Sequence, residues 1–423
     1  MKTKAVRLYG KKDLRLEEFE LPAIKDNEIL AKVVSDSICM SSYKAAMQGE
    51  DHKRIPDNIV ENPVIIGHEF SGEIIEVGSK WQHKFKPGQK YSIQPAIYYE
   101  DGPMGVLSAP GYSYPNIGGD ATYVIIPKDV LEQDCLLAYD GPGFYPASLS
   151  EPLSCVIGAM HANYHTKPGS YKHEMEIVDG GKMAILAGVG PMGLAAINYV
   201  VNRSDKKPSL LVITDIAQDR LDRAAEIFPV EWAKEKGIEM IYLNTGNVED
   251  PVKALKEISV GGYNDVFVFA PVAPVIEQGD AILAQDGCLN FFAGPGNPQF
   301  SAKMNFYNVH YASTHIVGTS GGNNDDMVEA LEYMSKGLDP AGLVTHIGGL
   351  NSVIDTTLRL PDIPGGKKLI YTHKDLPLTA ISDFEVLGKD DSFFKDLANL
   401  VAETKGLWNV KAETYLLENA PDI

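Results

Sequence analysis

Hydrophobic and polar positions alternate in short runs through the first third of the chain, and Gly, Pro and Asn separate these runs. Alternation with a period of two is typical of β-strands, because successive side chains point to opposite faces of a sheet. The pattern therefore predicts an all-β region, with strands at residues 3–9, 14–19, 28–37, 64–77, 89–94 and 121–126.

The pattern changes after residue 151. A stretch with helical spacing at 153–165 leads into apolar runs of buried-strand length, which alternate with amphipathic stretches of helical period. Such alternation predicts a parallel sheet covered by helices on both faces. The predicted strands lie at 183–190, 210–215, 265–270 and 287–294, and the predicted helices at 191–203 and 218–228.

A glycine-rich turn joins the first of these strands to its helix. Gly188, Gly190 and Gly193 have GxGxxG spacing, with Pro191 and Met192 between the last two. The three glycines allow a tight turn, a close approach of the backbone to a pyrophosphate, and close packing of helix on strand. The helix N-terminus then presents free N–H groups to the phosphates. We therefore predict that these five residues bind a dinucleotide.

The next strand ends in Asp215, which lies 22 residues after Gly193. A carboxylate at this strand end suits a ribose 2′-hydroxyl and repels a 2′-phosphate. The alternative is that Asp215 only stabilises the N-terminus of the following helix. We predict that NAD(H) is preferred, while Arg220 nearby keeps NADP(H) possible.

His68 and Glu69 interrupt a strand-like run directly after Gly67. Burying an imidazole and a carboxylate costs several kcal/mol unless a partner compensates them. Cys39 upstream and Glu151 at the start of the first predicted helix complete a set of Cys, His and carboxylate groups. This is the ligand set of a catalytic zinc with one open position, so we predict a metal site here.

The composition of the chain indicates which partners it can bind and in which compartment it is found. The chain has 57 acidic and 38 basic residues, and its formal net charge of −19 argues against nucleic acid or an anionic membrane surface as a partner. The four cysteines are widely spaced, which is typical of a reducing compartment. No apolar segment resembles a signal peptide or a membrane helix, so we expect a cytoplasmic protein.

Several motifs resemble those of zinc-dependent medium-chain dehydrogenases/reductases. "GHEFSGEIIEVG" is similar to their GHExxGxxxxxG signature, "GGDATYVIIP" to their GGxAEY strand, and "EPLSC" to the helix start of their polyol dehydrogenase branch. The segments "EPLSCVIGAMHANYH", "NFFAGP", "VGTSGGNNDDM" and "GGKKLIYTHK" further resemble bacterial ketose-phosphate reductases. This resemblance implies an α/β protein with a β-rich GroES-like catalytic domain and a Rossmann nucleotide domain.

The implied domains are a GroES-like part at 1–156, completed by about 314–375, and a Rossmann part at 157–313. Residues 376–423 carry amphipathic stretches and would form a helical C-terminal extension. The resemblance also implies a homo-dimer or homo-tetramer.

By position, Cys39 and His68 match zinc ligands of the family. Glu69 and Glu151 match carboxylates that relatives use as ligand or near-ligand, and the choice between them stays open. Ser41 matches the hydroxyl that passes the substrate proton toward solvent. Lys44 stands where relatives usually carry a relay His, and we expect it to contact substrate. The four-cysteine loop that holds a structural zinc is absent, so we predict one zinc per chain.

The resemblance implies reversible hydride transfer between NAD(P)H and the C2 carbonyl of a phosphorylated ketose, with L-sorbose 1-phosphate and D-glucitol 6-phosphate as the pair. One alternative is a zinc polyol or threonine-type dehydrogenase that acts on an unphosphorylated alcohol. Another is a metal-free nucleotide-binding protein of the quinone-reductase or crystallin type. We expect at least one of Lys367 and Lys368, in "GGKKLIYT", to be a surface or dinucleotide contact.

Overall fold

The computed structural model describes all 423 residues and divides into two compact units. The first unit comprises Met1–Glu151 and Asn323–Ile423, and the second comprises Pro152–Gly322. Residues 376–423 are therefore part of the first unit. The predicted boundaries at 156/157 and 313/314 lie within 10 residues of these divisions.

The chain up to Glu151 is mainly β, with short helices between strands. Its elements are β1 Lys2–Gly10, β2 Asp13–Glu20, β3 Ile29–Ile38, α1 Met40–Gln48, β4 Val64–Ile65, β5 Phe70–Val77, β6 Lys90–Ile93, β7 Tyr123–Ile126, α2 Lys128–Glu132, β8 Leu136–Ala138, α3 Tyr145–Ser148 and α4 Ser150–Ala162. The unit boundary falls inside α4.

The second unit alternates strands and helices. Its elements are β9 Tyr164–His165, β10 Glu174–Met175, β11 Lys182–Leu186, α5 Pro191–Asn202, β12 Leu210–Asp215, α6 Gln218–Ile227, α7 Val230–Glu235, β13 Glu239–Asn244, α8 Pro251–Ile258, β14 Tyr263–Val268, α9 Ala273–Ala281, β15 Leu283–Phe291, α10 Phe306–Tyr311 and β16 His315–Val317.

The chain then returns to the first unit. Its remaining elements are α11 Asn324–Ser335, β17 Val344–Gly349, α12 Val353–Leu358, β18 Lys367–Tyr371, β19 Thr379–Ala380, α13 Phe384–Leu387, α14 Ser392–Ala402 and α15 Val410–Asn419. The last three helices pack their apolar faces around the buried Trp408, in the same hydrophobic cluster as β17 and β18.

The first unit contains two main sheets. Three strands pair in the order β2-β1-β4, and a larger sheet runs β19-β17-β18-β3-β5-β6-β8, with β7 also paired to β3. The run predicted as one strand at 64–77 is divided between these sheets, because Gly67 adopts a φ of +89°. Only glycine adopts this conformation readily, so the break is encoded in the sequence.

The sheet of the second unit has six strands in the order β13-β12-β11-β14-β15-β16, and every pairing is parallel. This order, with helices between the strands, is that of a Rossmann fold. The predicted combination of a β-rich region with a doubly wound parallel sheet is therefore confirmed. None of the helices combines the length and hydropathy that a bilayer crossing requires.

Candidate metal centre and active site

Cys39 lies between the end of β3 and the first turn of α1, where it is the N-cap residue of the helix. Its Sγ atom is 3.0 Å from Oγ of Ser41. Lys44 follows Ser41 by three residues on the same helix, so the two side chains share one helical face. The start of α1 thus brings together the thiol and the hydroxyl that the sequence singled out, and Lys44 lies one turn further along.

The turn at Gly67 directs His68 and Glu69 into the interior. A Cβ atom on Gly67 would lie 2.7 Å from the backbone nitrogen of Asp120, so the turn has no room for a side chain there. The backbone N–H of Glu69 donates to Oδ1 of Asp36 at 3.2 Å. His68 and Glu69 are only 4% and 1% exposed, so both polar side chains depend on protein partners.

Ligand atoms of Cys39, His68 and Glu69 all lie within 4.8 Å of one another. Burial lowers the pKa of His68, which keeps the imidazole neutral near pH 7. Burial raises the pKa of the Cys39 thiol, and the Glu69 carboxylate raises it further. The three side chains form a buried cluster that combines a thiol, a neutral imidazole and a carboxylate.

Glu151, at the second residue of α4, is close enough to interact electrostatically with all three members of this cluster. Burial and the charge of Glu69 raise the pKa of Glu151 to about 7. A metal ion bound here would stabilise the ionised form of Glu151 and lower this pKa.

Glu69 has a cationic partner, Lys367, which we did not predict. The Lys367 ammonium lies 2.5 Å from Oε1 and 2.6 Å from Oε2 of Glu69. Burial opposes ionisation of Glu69, but Lys367 outweighs it and the pKa of Glu69 is lowered. Lys367 and Lys368 are 6% and 3% exposed, and Lys368 donates to three backbone carbonyls. The expectation of a surface position was wrong, because each ammonium has acceptors within the protein.

A second residue that sequence reasoning missed is Tyr112. Its hydroxyl is 3.3 Å from Nε2 of His68 and lies near the hydroxyl of Ser41. On the other side of the imidazole, Oγ of Ser42 is 3.2 Å from Nδ1. Tyr112 lies in a loop that also contains Tyr98, Tyr99 and Tyr114, and nothing in its local spacing distinguishes it from these tyrosines.

Two further buried carboxyl groups support the His68–Glu69 turn. Asp36 and Asp120 interact directly, and burial raises the pKa of both, that of Asp120 to about 7. Two adjacent buried carboxylates cannot both ionise without strong repulsion, so at least one of them holds a proton. Asp36 contacts the turn directly, because its Oδ1 atom accepts the hydrogen bond from the backbone N–H of Glu69.

The residues of the cluster fit a zinc ion. Zinc takes thiolate, imidazole and carboxylate ligands in a tetrahedral arrangement, and catalytic sites use three protein ligands with one open position. Cys39, His68 and one of the two glutamates supply such a set. The pKa values of Cys39 and Glu151 are raised in the protein without a bound cation, so both groups hold protons that a metal ion would displace.

The glycine-rich turn of the second unit has the shape that dinucleotide binding requires. A Cβ atom on Gly193 would lie 2.1 Å from the carbonyl oxygen of Gly188, so the helix could not approach the turn with a larger residue. Ala187 adopts a φ of +53°, a strained value for a residue with a side chain. Gly190 is the N-cap of α5, and Pro191 and Met192 form its first turn.

Asp215 ends β12, next to this turn in the sheet. Its Oδ1 atom accepts hydrogen bonds from the backbone N–H groups of Ile216 and Ala217, at 2.8 and 3.1 Å. The guanidinium of Arg220 lies 3.5 Å from the position that a Cβ atom on Gly190 would occupy. An acid and a base therefore border the predicted ribose site.

Comparisons with known proteins agree with this architecture. The model of the alcohol dehydrogenase GroES-like domain matches residues 25–133. L-Sorbose 1-phosphate reductase of Klebsiella pneumoniae is 51% identical over 423 residues, which cover 100% of this chain and 98% of the relative. Mannitol-1-phosphate 5-dehydrogenase of Aliivibrio fischeri is 52% identical over 418 residues, covering 98% and 97%. The chain belongs to the zinc-dependent medium-chain dehydrogenase/reductase family.

A solved structure of this family has the same fold. The crystal structure of 2R,3R-butanediol dehydrogenase from Bacillus subtilis superposes with a TM-score of 0.68 at 22% identity, and covers 87% of this chain and 99% of that one. The protein is accordingly an oxidoreductase of the polyol dehydrogenase type. Membership of the zinc-dependent family removes the ground for the metal-free alternative.

Proposed function

We propose that this protein is a zinc-dependent reductase that transfers a hydride from NAD(P)H to the C2 carbonyl of a phosphorylated ketose. The observation that carries the reaction type is the buried cluster of Cys39, His68 and Glu69, with Glu151 beside it. The substrate rests on the names of two relatives, both of which act on phosphorylated substrates. L-Sorbose 1-phosphate, reduced to D-glucitol 6-phosphate, is the pair that we propose.

Cys39, His68 and Glu151 would hold one zinc per chain. Both carboxylate oxygens of Glu69 already accept hydrogen bonds from Lys367, which makes this group the weaker ligand. Burial and the charge of Glu69 raise the pKa of Glu151, so a bound metal would stabilise its ionised form. Zinc, when bound, supplies a Lewis acid that polarises the substrate oxygen. Ser42 would accept the Nδ1 proton of His68, which leaves the Nε2 lone pair available as a ligand.

The substrate oxygen exchanges its proton through Ser41. The Ser41 hydroxyl is 3.0 Å from the Cys39 sulfur and lies near the Tyr112 hydroxyl, so it would face the substrate oxygen at the metal. Reduction adds a hydride to the carbonyl carbon and a proton to the oxygen, and Ser41 would relay that proton from solvent to the oxygen. Lys44, one turn further along α1, takes the position at which relatives carry a relay His.

The second unit would bind the dinucleotide at the turn from Gly188 to Gly193. The free N–H groups at the start of α5 face the pyrophosphate in this arrangement. Asp215 accepts the ribose hydroxyls and disfavours a 2′-phosphate, so NAD(H) is preferred, while Arg220 leaves NADP(H) usable. The first unit then carries the substrate chemistry, and the second the nucleotide.

We further propose a cytoplasmic homo-dimer or homo-tetramer. The edge of the six-stranded sheet at β16 is flanked by an exposed apolar segment, since Phe306, Tyr307, Tyr311 and Ile316 are 76%, 68%, 65% and 50% exposed. Exposed aromatic residues beside an unpaired strand edge favour association with another copy.

The test is a panel of initial rates with zinc-loaded protein. L-Sorbose 1-phosphate, D-fructose 6-phosphate, free L-sorbose, free D-fructose and D-glucitol are each assayed with both nicotinamide cofactors. We expect the highest kcat/KM with a phosphorylated ketose and NADH, and loss of activity on chelation. Equal kcat/KM for free and phosphorylated ketoses would instead favour a polyol dehydrogenase for unphosphorylated alcohols.

A further inference from the structure

A basic group lies beside the metal cluster, although the chain as a whole carries a net charge of −19. His52, Lys53 and Arg54 follow α1, and Lys44 lies on that helix. The acid that precedes them, Asp51, is paired with Lys11 at 2.6 Å. Neither Lys53 nor Arg54 forms an ion pair. Lys53 and Arg54 therefore each carry a positive charge that no ion pair neutralises.

The pKa of His52 reflects the positive charges around it. Burial, and then the charges of Arg54, Lys53 and Lys44, together lower its pKa to about 4. His52 is therefore neutral at physiological pH and can donate a hydrogen bond without adding a charge.

Tyr112 connects this basic group to the metal cluster. The His52 ring stacks on the Tyr112 ring, with centroids 5.7 Å apart and an interplanar angle of 8°. Cζ of Arg54 is 6.0 Å from the centre of the same ring. The Tyr112 ring is in turn 4.9 Å from the ring of His68. The ring of Tyr112 thus lies between the guanidinium of Arg54 and His68, a predicted zinc ligand.

Arg54 is already held in position. Its Nη1 atom donates to the carbonyl of Leu107 at 2.8 Å, and its backbone carbonyl accepts from Ser113 Oγ at 2.7 Å. The other N–H groups of the guanidinium have no protein acceptor. An arginine that is fixed on one side and open on the other matches the planar, two-pronged geometry of phosphate binding.

We propose that Arg54, supported by Lys44 and His52, binds the phosphate group of the substrate. This inference rests on the proposed function and adds to it the residue that selects phosphorylated over free ketoses. Arg54 supplies two parallel N–H donors, Lys44 supplies a second positive charge, and Tyr112 forms the wall between the phosphate and the metal.

The decisive variant is Arg54→Gln, assayed as zinc-loaded protein with L-sorbose 1-phosphate and with free L-sorbose. Loss of a charge-assisted phosphate contact lowers kcat/KM by about 10- to 100-fold for the phosphorylated ketose, mainly through KM. The same variant changes kcat/KM for free L-sorbose by less than about twofold. Arg54→Lys, which keeps the charge, recovers part of the loss.

Lys53→Gln is the matched control, because it removes the same charge from the neighbouring, exposed position. It should leave the preference for the phosphorylated ketose within about twofold of the wild type. Inorganic phosphate supplies a second readout that does not depend on turnover of a sugar. It should bind the wild type in a calorimetric titration, and its Kd should rise about tenfold in Arg54→Gln.

The outcomes separate this inference from the proposed function. If the wild type uses free and phosphorylated ketoses equally, the proposed function fails. If the wild type prefers the phosphorylated ketose and Arg54→Gln keeps that preference, only the assignment of Arg54 fails. A fall in kcat/KM by the same factor for both substrates would also overturn the assignment, because it indicates a structural role for Arg54.

Discussion

Lys367 and Glu69 form a buried ion pair although 298 residues separate them in the sequence. The ammonium contacts both carboxylate oxygens, and the two side chains are 6% and 1% exposed. The pair joins β18 to the turn that carries His68. Through this contact, a strand from the C-terminal part of the chain determines the charge and the orientation of a candidate metal ligand.

Replacing Lys367 by Met should strongly destabilise the metal-free protein. Removing one partner of a buried ion pair leaves an uncompensated charge, which costs about 3–5 kcal/mol. We expect a loss of this size in the free energy of unfolding from urea titrations. The double variant Lys367→Met/Glu69→Gln should recover most of it, because no buried charge remains. Equal stabilities for the single and double variants would contradict this account of the pair.

The affinity for zinc should depend on pH with a slope that changes near pH 7. The thiol of Cys39 is protonated at neutral pH because burial and then Glu69 raise its pKa, and Glu151 has a pKa of about 7. Binding displaces both protons below pH 7 but only the thiol proton above it. The logarithm of the association constant should therefore rise by about two per pH unit below pH 7 and about one above it.

Chelator-competition titrations at several pH values measure this slope, and Glu151→Gln is the control. Without the carboxylate, affinity is weaker and the slope should be about one across the whole range. An unchanged slope of two below pH 7 in that variant would mean that another group releases the second proton.

Much of the fold could be predicted from sequence because its signals are local. The alternation of apolar positions identified the strands, and Gly67 marked the break at which His68 and Glu69 turn inward. The spacing of Gly188, Gly190 and Gly193 predicted the tight turn between β11 and α5. In each case, neighbouring residues contain the physical reason for the conformation.

The remaining features of the site depend on contacts between distant segments. Lys367 stands beside Lys368 in the sequence, and two adjacent lysines are typical of a surface, since a buried lysine needs a partner that local sequence does not reveal. Tyr112 reaches His68 from a loop with no regular pattern. Glu413 lies in a helix that we treated only as a packing element, yet its carboxylate is buried among backbone donors.

Glu413 should contribute to stability through the segment that precedes Glu151. Its carboxylate accepts hydrogen bonds from the backbone N–H groups of Phe144 and Tyr145, at 2.7 and 2.8 Å, and from the hydroxyl of Tyr371 at 3.0 Å. Glu413→Ala leaves these buried donors without acceptors and should lower the free energy of unfolding by about 2–5 kcal/mol. The exposed Glu418→Ala, on the same helix, should change it by less than about 0.5 kcal/mol.

The effect of Glu413→Ala should also depend on pH. Burial raises the pKa of Glu413 to about 7, so its folded-state pKa exceeds the ordinary value of 4.5. The folded state then holds the proton more tightly than the unfolded state does, and the wild type loses stability as pH rises from about 4.5 to 7. The difference between wild type and variant should therefore be larger at pH 5.5 than at pH 8. A difference that grows toward pH 8 would contradict this assignment.

Asp215 should control the choice of cofactor. Its carboxylate would lie near a 2′-phosphate, and like charges at close range in a partly desolvated site cost on the order of 1 kcal/mol or more. Asp215→Ser should raise kcat/KM with NADPH and lower it with NADH, each by about tenfold. Asp222→Asn is the control, because it removes one negative charge from an exposed position on α6 and should leave the cofactor preference unchanged. If the wild type already prefers NADPH, the attraction of Arg220 for the 2′-phosphate outweighs the repulsion from Asp215.

The most direct test of the central claim is a single-turnover reaction with NADH that carries deuterium in the transferred position. Zinc-loaded protein is mixed with this cofactor and L-sorbose 1-phosphate, and the sugar product is analysed by mass spectrometry and NMR. We predict D-glucitol 6-phosphate with one deuterium on the carbon that was the ketone, and no such product after chelation or in Cys39→Ser. Absence of deuterium from the sugar phosphate, or undiminished transfer in Cys39→Ser, would contradict the account.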